Sequence, residues 1–140
     1  MNFKKLNKNQ YLVRFQKGEY IMEGLKSFCE QENVFLGEIR ALGAVDFIDI
    51  LVYNPATKTY VSSQQSSIFE ITNLYGNISK KDNEVYFHIH ATFAGEDFSC
   101  VGGHLKDARI SATLEAVVDV QEGEVTRKFN DEVGLNLWNI

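Results

Sequence analysis

Several residue types and sequence features are scarce or absent in this 140-residue chain, and each absence argues against a class of protein. Its only two cysteines, Cys29 and Cys100, lie far apart without a Cys-x-x-Cys spacing, so we expect reduced thiols rather than a disulfide framework. No apolar run reaches the roughly 20 residues that cross a bilayer as a helix, so no membrane partner is expected. The N-terminal MNFKKLNKNQ lacks the apolar core of a secretory signal, which makes a cytoplasmic location the default expectation.

Basic residues are also too few for a protein that binds nucleic acid mainly through its phosphates. Lysine and arginine total 14 against 19 aspartates and glutamates, which gives a net charge of −5 and a pI near 5.2. Affinity for DNA phosphates comes from basic side chains that displace counterions, and no basic run or Arg-Gly-Arg-Pro segment occurs. DNA is therefore a partner that the net charge disfavours.

The pattern of apolar residues predicts one α+β domain spanning residues 1–140, with a mostly antiparallel sheet and one main helix near the N-terminus. YLVRF reads as a first strand, and a helix opening at Gly18 and closing at Asn33 would bury Ile21, Leu25, Phe28 and Cys29. From Val34 onward the pattern is that of strands, with a hairpin turn at 80–83, and the segment after 120 is ambiguous. At this length a core forms without help from a metal, so a metal site would serve another purpose.

All three histidines lie within HIHATFAGEDFSCVGGHL, residues 88–105. Side chains alternate faces along a strand, so His88 and His90 share the face opposite the apolar Phe87, Ile89 and Ala91. The chain then turns at 94–97 and returns antiparallel. By that count His104 lies beyond the simple partner of His90, so we expect a bulge or bend at Gly102-Gly103 to bring it onto the site.

Three imidazoles on one face have two interpretations. Three neutral nitrogen ligands with a water in the fourth position are the pattern of an open zinc site, and zinc is the first choice among metals, although iron, nickel and copper also accept imidazole. In the alternative interpretation the strand histidines are solvated and His104 is a turn residue. Cys100 is a candidate fourth ligand, for which a packing role is the stronger interpretation.

Three ordered motifs, FEITNLYGNIS, HIHATFAGEDFSCVGGHL and ISATLEAVV, together with GAVDFIDILVYNP, resemble the PPC ("plants and prokaryotes conserved") domain family. The resemblance covers about residues 11–119, so we expect a core of about 11–120 and a C-terminal tail of 121–140. It implies a compact, mostly antiparallel α+β domain, a homotrimer, and a metal site on the histidines of the H-x-H and G-G-H segments. Those histidines are His88, His90 and His104 here.

For function, the resemblance implies a DNA-binding or a regulatory and assembly module. Stand-alone prokaryotic members are linked to DNA through plant relatives that carry an AT-hook, and this chain has neither the hook nor a basic charge. DNA binding would therefore require a local patch of basic side chains on the surface. The candidates for such a patch are Arg40, Lys106, Arg109, Arg127 and Lys128.

The alternative hypothesis is a zinc-dependent small-molecule enzyme, a lyase or hydrolase. The H-x-H and G-G-H arrangement is also similar to the zinc-binding segment of acetolactate decarboxylases, although this chain is shorter and its histidines are spaced differently. Zinc with an exchangeable water can polarise a carbonyl or generate hydroxide near neutral pH, so a small molecule bound at the metal is a further expected partner. The weak candidates for a catalytic proton donor or charge clamp are Glu70, Glu115, Asp97 and Arg40.

Overall fold

The computed structural model describes residues 1–140 and contains nine strands and one helix. The elements in chain order are β1 (Asn2–Asn7), β2 (Gln10–Gln16), α1 (Ile21–Glu32), β3 (Gly37–Asn54), β4 (Thr59–Gln65), β5 (Phe69–Lys81), β6 (Glu84–Ala94), β7 (Cys100–Val120), β8 (Arg127–Asn130) and β9 (Leu135–Trp138). This confirms a mostly antiparallel sheet with a single helix near the N-terminus. The helix is neither long nor apolar enough to span a membrane.

Helix α1 covers one face of the sheet and buries the four side chains that its periodicity predicts: Ile21, Leu25, Phe28 and Cys29. It begins at Ile21, three residues after the predicted start, because Gly18 has a φ of +89° and belongs to the preceding turn. Asp107 of β7 accepts a hydrogen bond from the Met22 backbone N–H at 3.2 Å, which satisfies one of the free donors of the first helical turn. Asn33 ends the helix in the left-handed conformation, as predicted.

Strands β3 and β7 are the two longest strands of the sheet. They pair with each other from Gly37 with Val120 as far as Leu51 with His104. The main sheet has the order β1-β2-β7-β6-β5-β3-β4 with the additional β7–β3 pairing, so β3, β5, β6 and β7 form a closed circuit. One continuous core of 26 buried residues includes the inward-facing side chains of the main sheet and of α1. Closure removes the free edges of four strands and fixes β6 against β7.

Several predicted elements are corrected by the structure. β1 precedes the predicted first strand; its sequence NFKKLN is mostly polar because it is an edge strand with one exposed side. FLGEIRAL and AVDFIDILVY are two separate apolar segments in the sequence, yet they form the single strand β3. SCVGGHL and RISATLEAVV likewise form the single strand β7, because bulges rather than turns interrupt the pairing. The ambiguous tail forms a separate two-stranded sheet, β8–β9.

The expected bulge at Gly102-Gly103 is also wrong. The loop after β6 occupies 95–99, with Phe98 at a φ of +63°, so pairing restarts at Ala94 with Cys100 and runs without a shift to His90 with His104. The glycines instead permit close approach of neighbouring strands. A Cβ at Gly102 would lie 2.8 Å from the Ala91 carbonyl oxygen, and one at Gly103 would lie 2.5 Å from that of Leu51.

We therefore expect Gly103→Ala to lower the free energy of unfolding by about 1–3 kcal/mol, since the added methyl must push β3 away from β7. Chemical denaturation measures this change. Gly95→Ala is the matched control, because a Cβ there meets nothing closer than 3.2 Å, the Asp97 side chain. Equal denaturation midpoints for the two variants would contradict the close approach.

Candidate metal centre

His88, His90 and His104 come together on one face of the sheet. His90 and His104 are direct cross-strand partners, and His88 precedes His90 by two residues in β6, on the same face. The imidazole ring centroids are 5.1 to 5.6 Å apart, and one ligand nitrogen from each ring lies within 4.8 Å of the others. The predicted alternation is confirmed, since Ile89 and Ala91 between and after the two β6 histidines are buried in the core.

This arrangement fits a tetrahedral metal ion. Two nitrogens bound to zinc at their usual distance are separated by about 3.3 Å, and the His88 and His90 Nε2 atoms are 3.3 Å apart. Three nitrogen ligands also leave the fourth tetrahedral position open. The cluster therefore has the donor type and number that a metal such as zinc requires, and its His88–His90 pair has the required spacing.

The electrostatic surroundings keep two of these rings neutral. The pKa of His104 is lowered to about 4, chiefly by burial, with smaller contributions in the same direction from His88, His90 and Arg127. The pKa of His88 is lowered by burial first, then by His90 and Arg127. A metal binds the neutral imidazole, so near neutral pH these two rings are already in the form that coordinates.

A cleft of about 410 Å³ opens beside His88 and His104. One wall is the β8–β9 hairpin, and the others come from β4, β5 and β6; Tyr60 of β4 places its ring centroid 5.9 Å from that of His104. Apart from the two histidines, the lining residues are Tyr60, Asn77, Tyr86, Arg127, Gly134, Leu135, Asn136, Leu137 and Trp138. The cluster is thus connected to a space that a small molecule can fill.

Arg127 is the charged residue of this cleft and is held firmly in place. It donates hydrogen bonds to Ser79 Oγ at 2.8 Å, to Asn77 Oδ1 at 2.7 Å and to the Asn136 carbonyl at 2.9 Å. Its guanidinium carbon lies 4.6 Å from the Tyr86 ring centroid and 5.8 Å from that of Trp138. Burial lowers its pKa, but an arginine remains charged at neutral pH.

The four catalytic candidates from the sequence lie elsewhere, since none lines the cleft. Arg40 and Glu115 line a separate groove of about 820 Å³ on the sheet. Glu70 is exposed at the start of β5, and Asp97 lies in the 95–99 loop, where hydrogen bonds from Ser99 lower its pKa. The structure does not bring these four residues to the histidines.

Cys100 is likewise separate from the metal centre. It is exposed, pairs with Ala94 and lies four residues before His104 along β7, a distance of about 13 Å at the usual rise of a strand. A thiol at that distance cannot complete the coordination shell.

The sequence reasoning did not assign Tyr60, Tyr86, Arg127 or Trp138 to the histidine site. Tyr86 could have been found, because alternation places it on the same face as His88 and His90. Tyr60 reaches the cleft from the β3–β4 hairpin, and Arg127 and Trp138 reach it only because the C-terminal hairpin folds back over β5 and β6. No local pattern predicts that placement.

Comparison with known proteins agrees with this fold. Residues 4–122 match the model of the Plants and Prokaryotes Conserved (PCC) domain. This chain belongs to that family. The PPC resemblance stated from its motifs is thereby confirmed, and no curated protein matches the chain.

Solved structures of the same fold come from bacteria and archaea. A proposed DNA-binding protein of Bacteroides thetaiotaomicron is 33% identical, with a TM-score of 0.94, over 99% of this chain and 96% of its own. A metal-containing protein of Archaeoglobus fulgidus is 30% identical, with a TM-score of 0.87, over 99% and 98% of the two chains. A PPC protein of Pyrococcus horikoshii is 25% identical, with a TM-score of 0.86, over 99% and 94%.

The similarity to acetolactate decarboxylases is distant. A Staphylococcus aureus protein described as similar to alpha-acetolactate decarboxylase is 16% identical over 82% of this PPC chain and 52% of its own, with a TM-score of 0.51. At that level of identity the comparison shows a similar fold and nothing about activity.

The lowered pKa values predict how the metal-free PPC domain responds to acid. The unfolded state takes up protons on His88 and His104 near pH 6.5, whereas the folded state resists protonation of His104 until about pH 4, so unfolding becomes easier as pH falls through this interval. We expect urea midpoints of chelator-treated protein to fall between pH 7 and pH 5, with a smaller fall in His104→Gln. An equal fall in both proteins would contradict the depressed pKa of His104.

Proposed function

We propose that this PPC domain holds a zinc ion through His88, His90 and His104 and uses the open coordination position to bind a small molecule in the adjoining cleft. The observation that supports this proposal is the convergence of three imidazole nitrogens within 4.8 Å at the side of a cleft of about 410 Å³. The relative from Archaeoglobus fulgidus, described as containing a metal, adds support from outside the chain.

Zinc at this position would supply Lewis acidity toward a bound carbonyl, or a bound water with a pKa near 7, which suits a lyase or hydrolase. The protein's own groups favour binding over acid–base chemistry, because no carboxylate lines the cleft and a general base is missing. Tyr60, whose ring centroid lies 5.9 Å from that of His104, has a pKa that burial raises, so its hydroxyl remains a hydrogen-bond donor. A small-molecule binding or sensing centre is therefore the main proposal, with enzymatic activity as the alternative.

DNA binding is a second candidate because the relative from Bacteroides thetaiotaomicron is described as a proposed DNA-binding protein. The surface does not favour it. Of the candidates for a basic patch, Arg40 is paired with Asp119, Lys106 with Asp49 at 3.0 Å and Arg109 with Asp46 at 2.7 Å. Arg127 is enclosed in the cleft, which leaves Lys128 alone. Salt-dependent retention of duplex DNA would be the result that restores this candidate.

We also propose that the chain assembles as a homotrimer through the groove of about 820 Å³ on the sheet. Eight of its 14 lining residues are hydrophobic, and Leu12 and Leu42 are 42% and 62% exposed. Apolar exposure of this kind on a sheet surface is typical of an interface.

Metal content tests the zinc proposal directly. We expect about one zinc per chain by elemental mass spectrometry of the purified protein, and loss of that zinc in a His88→Ala, His104→Ala double variant that remains folded by circular dichroism. Cys100→Ser is the control, because that residue lies too far from the cluster to coordinate and should leave the zinc content unchanged.

Wild-type protein that is free of metal and resists zinc loading would overturn the zinc proposal. In that case the histidines would be solvated side chains on the surface of the sheet.

Light scattering tests the assembly proposal. We expect the wild type to have the mass of three chains and Leu42→Glu to dissociate, since a buried charge in the interface is unfavourable. Val61→Glu is a matched control, because Val61 is 67% exposed and lies outside the groove. A monomeric wild type, or equal dissociation of both variants, would contradict this interface.

A further inference from the structure

We propose that the ligand of the cleft is a small carboxylate anion, bound to Arg127 beside the metal centre. This inference rests on the proposed function and names the chemical class of its ligand. The cleft carries a positive charge, whereas the net charge of the whole molecule is −5.

The chain has 19 acidic residues, yet none of them lines the cleft, and Arg127 is its one lining residue with a permanent charge. The other exposed or half-exposed arginines that we described, Arg40 and Arg109, are paired with aspartates. Arg127 is bonded only to a hydroxyl, an amide oxygen and a backbone carbonyl, so its charge has no counterion within the protein. A half-buried charge in that state favours an anion from solution.

The hydrogen bonds of Arg127 also leave donors free. A guanidinium carries five N–H groups, and three are used, by Ser79, Asn77 and Asn136. One N–H group remains on each of the two terminal nitrogens, so Arg127 keeps two donors for the oxygens of a carboxylate. The Tyr86 and Trp138 rings lie against the guanidinium and limit its freedom to turn.

The cleft fits a carboxylate better than a phosphate ester. Sites for a phosphate dianion usually combine several cationic side chains or the N-terminus of a helix, whereas Arg127 is the only lysine or arginine of this cleft and α1 contributes nothing to it. A volume of about 410 Å³ is at the lower end of small-molecule sites, which indicates a compact acid.

Trp138 provides the readout, because it is the only tryptophan of the chain and lines the cleft. The experiment titrates zinc-loaded, full-length protein with lactate, with the uncharged lactamide and with inorganic phosphate, and follows Trp138 fluorescence and heat of binding. We expect lactate to bind at least about tenfold more tightly than lactamide, the usual effect of a charged hydrogen-bonded pair. Phosphate should bind more weakly than lactate.

Arg127→Met should abolish the preference for lactate, whereas Lys128→Met is the matched control, since it removes the same charge from the neighbouring, exposed position of β8. Equal affinity for lactate and lactamide in the wild type would overturn the inference and does not depend on any variant folding. Tighter binding of phosphate, or an unchanged preference in Arg127→Met, would overturn it as well.

Zinc content measured on the same samples separates this inference from the proposed function. Bound zinc without a preference for lactate would overturn the carboxylate proposal alone. Metal-free protein that still prefers lactate through Arg127 would overturn the zinc proposal and support this one.

Discussion

His104 lies where β7 is paired on both sides, with His90 of β6 and with Leu51 of β3, and the candidate site depends on this double pairing. Main-chain hydrogen bonds to two neighbours fix the position of a strand residue more closely than a loop does. Both imidazoles therefore project from a rigid surface at a set separation. Little reorganisation is needed when a ligand binds to groups held in this way.

Acidic and basic side chains are distributed unevenly between the outer surface and the cleft. Acidic residues dominate the outer surface, where they pair with the exposed arginines and lysines, while the cleft next to the histidines contains neutral side chains and Arg127. Partial burial strengthens the field of that one cation, since less water screens it. The charge of Arg127 also accounts for part of the lowering of the pKa of His88 and His104. The same arginine thus affects both the metal ligands and the space in front of them.

Alternation and helical periodicity were sufficient to predict the fold class, the buried face of α1 and the common face of His88 and His90, because each depends on neighbours in sequence. The pairing of His104 was predicted with a wrong register. Its position depends on the length of the 95–99 loop, and the polar residues of that loop do not show where strand pairing resumes.

Strand β1 and the cleft wall were missed for another reason. A polar edge strand has no apolar alternation to detect, and the placement of the β8–β9 hairpin over β5 and β6 is decided by tertiary contacts of Arg127 and Tyr53. The resemblance to PPC domains added the expectation that the three histidines form one metal site, which spacing alone left open.

The C-terminal hairpin has a consequence for motion in this protein. It shares with the main sheet only the bridge between Lys80 and Thr126, and it is otherwise attached by hydrogen bonds of Arg127, Tyr53 and Lys58. Segments with few main-chain bonds to the body of a protein open at a lower free energy than its core strands. We therefore expect the hairpin to open at a lower free energy than the central strands β3 and β7, and such an opening would expose the histidine centre to solvent and solutes.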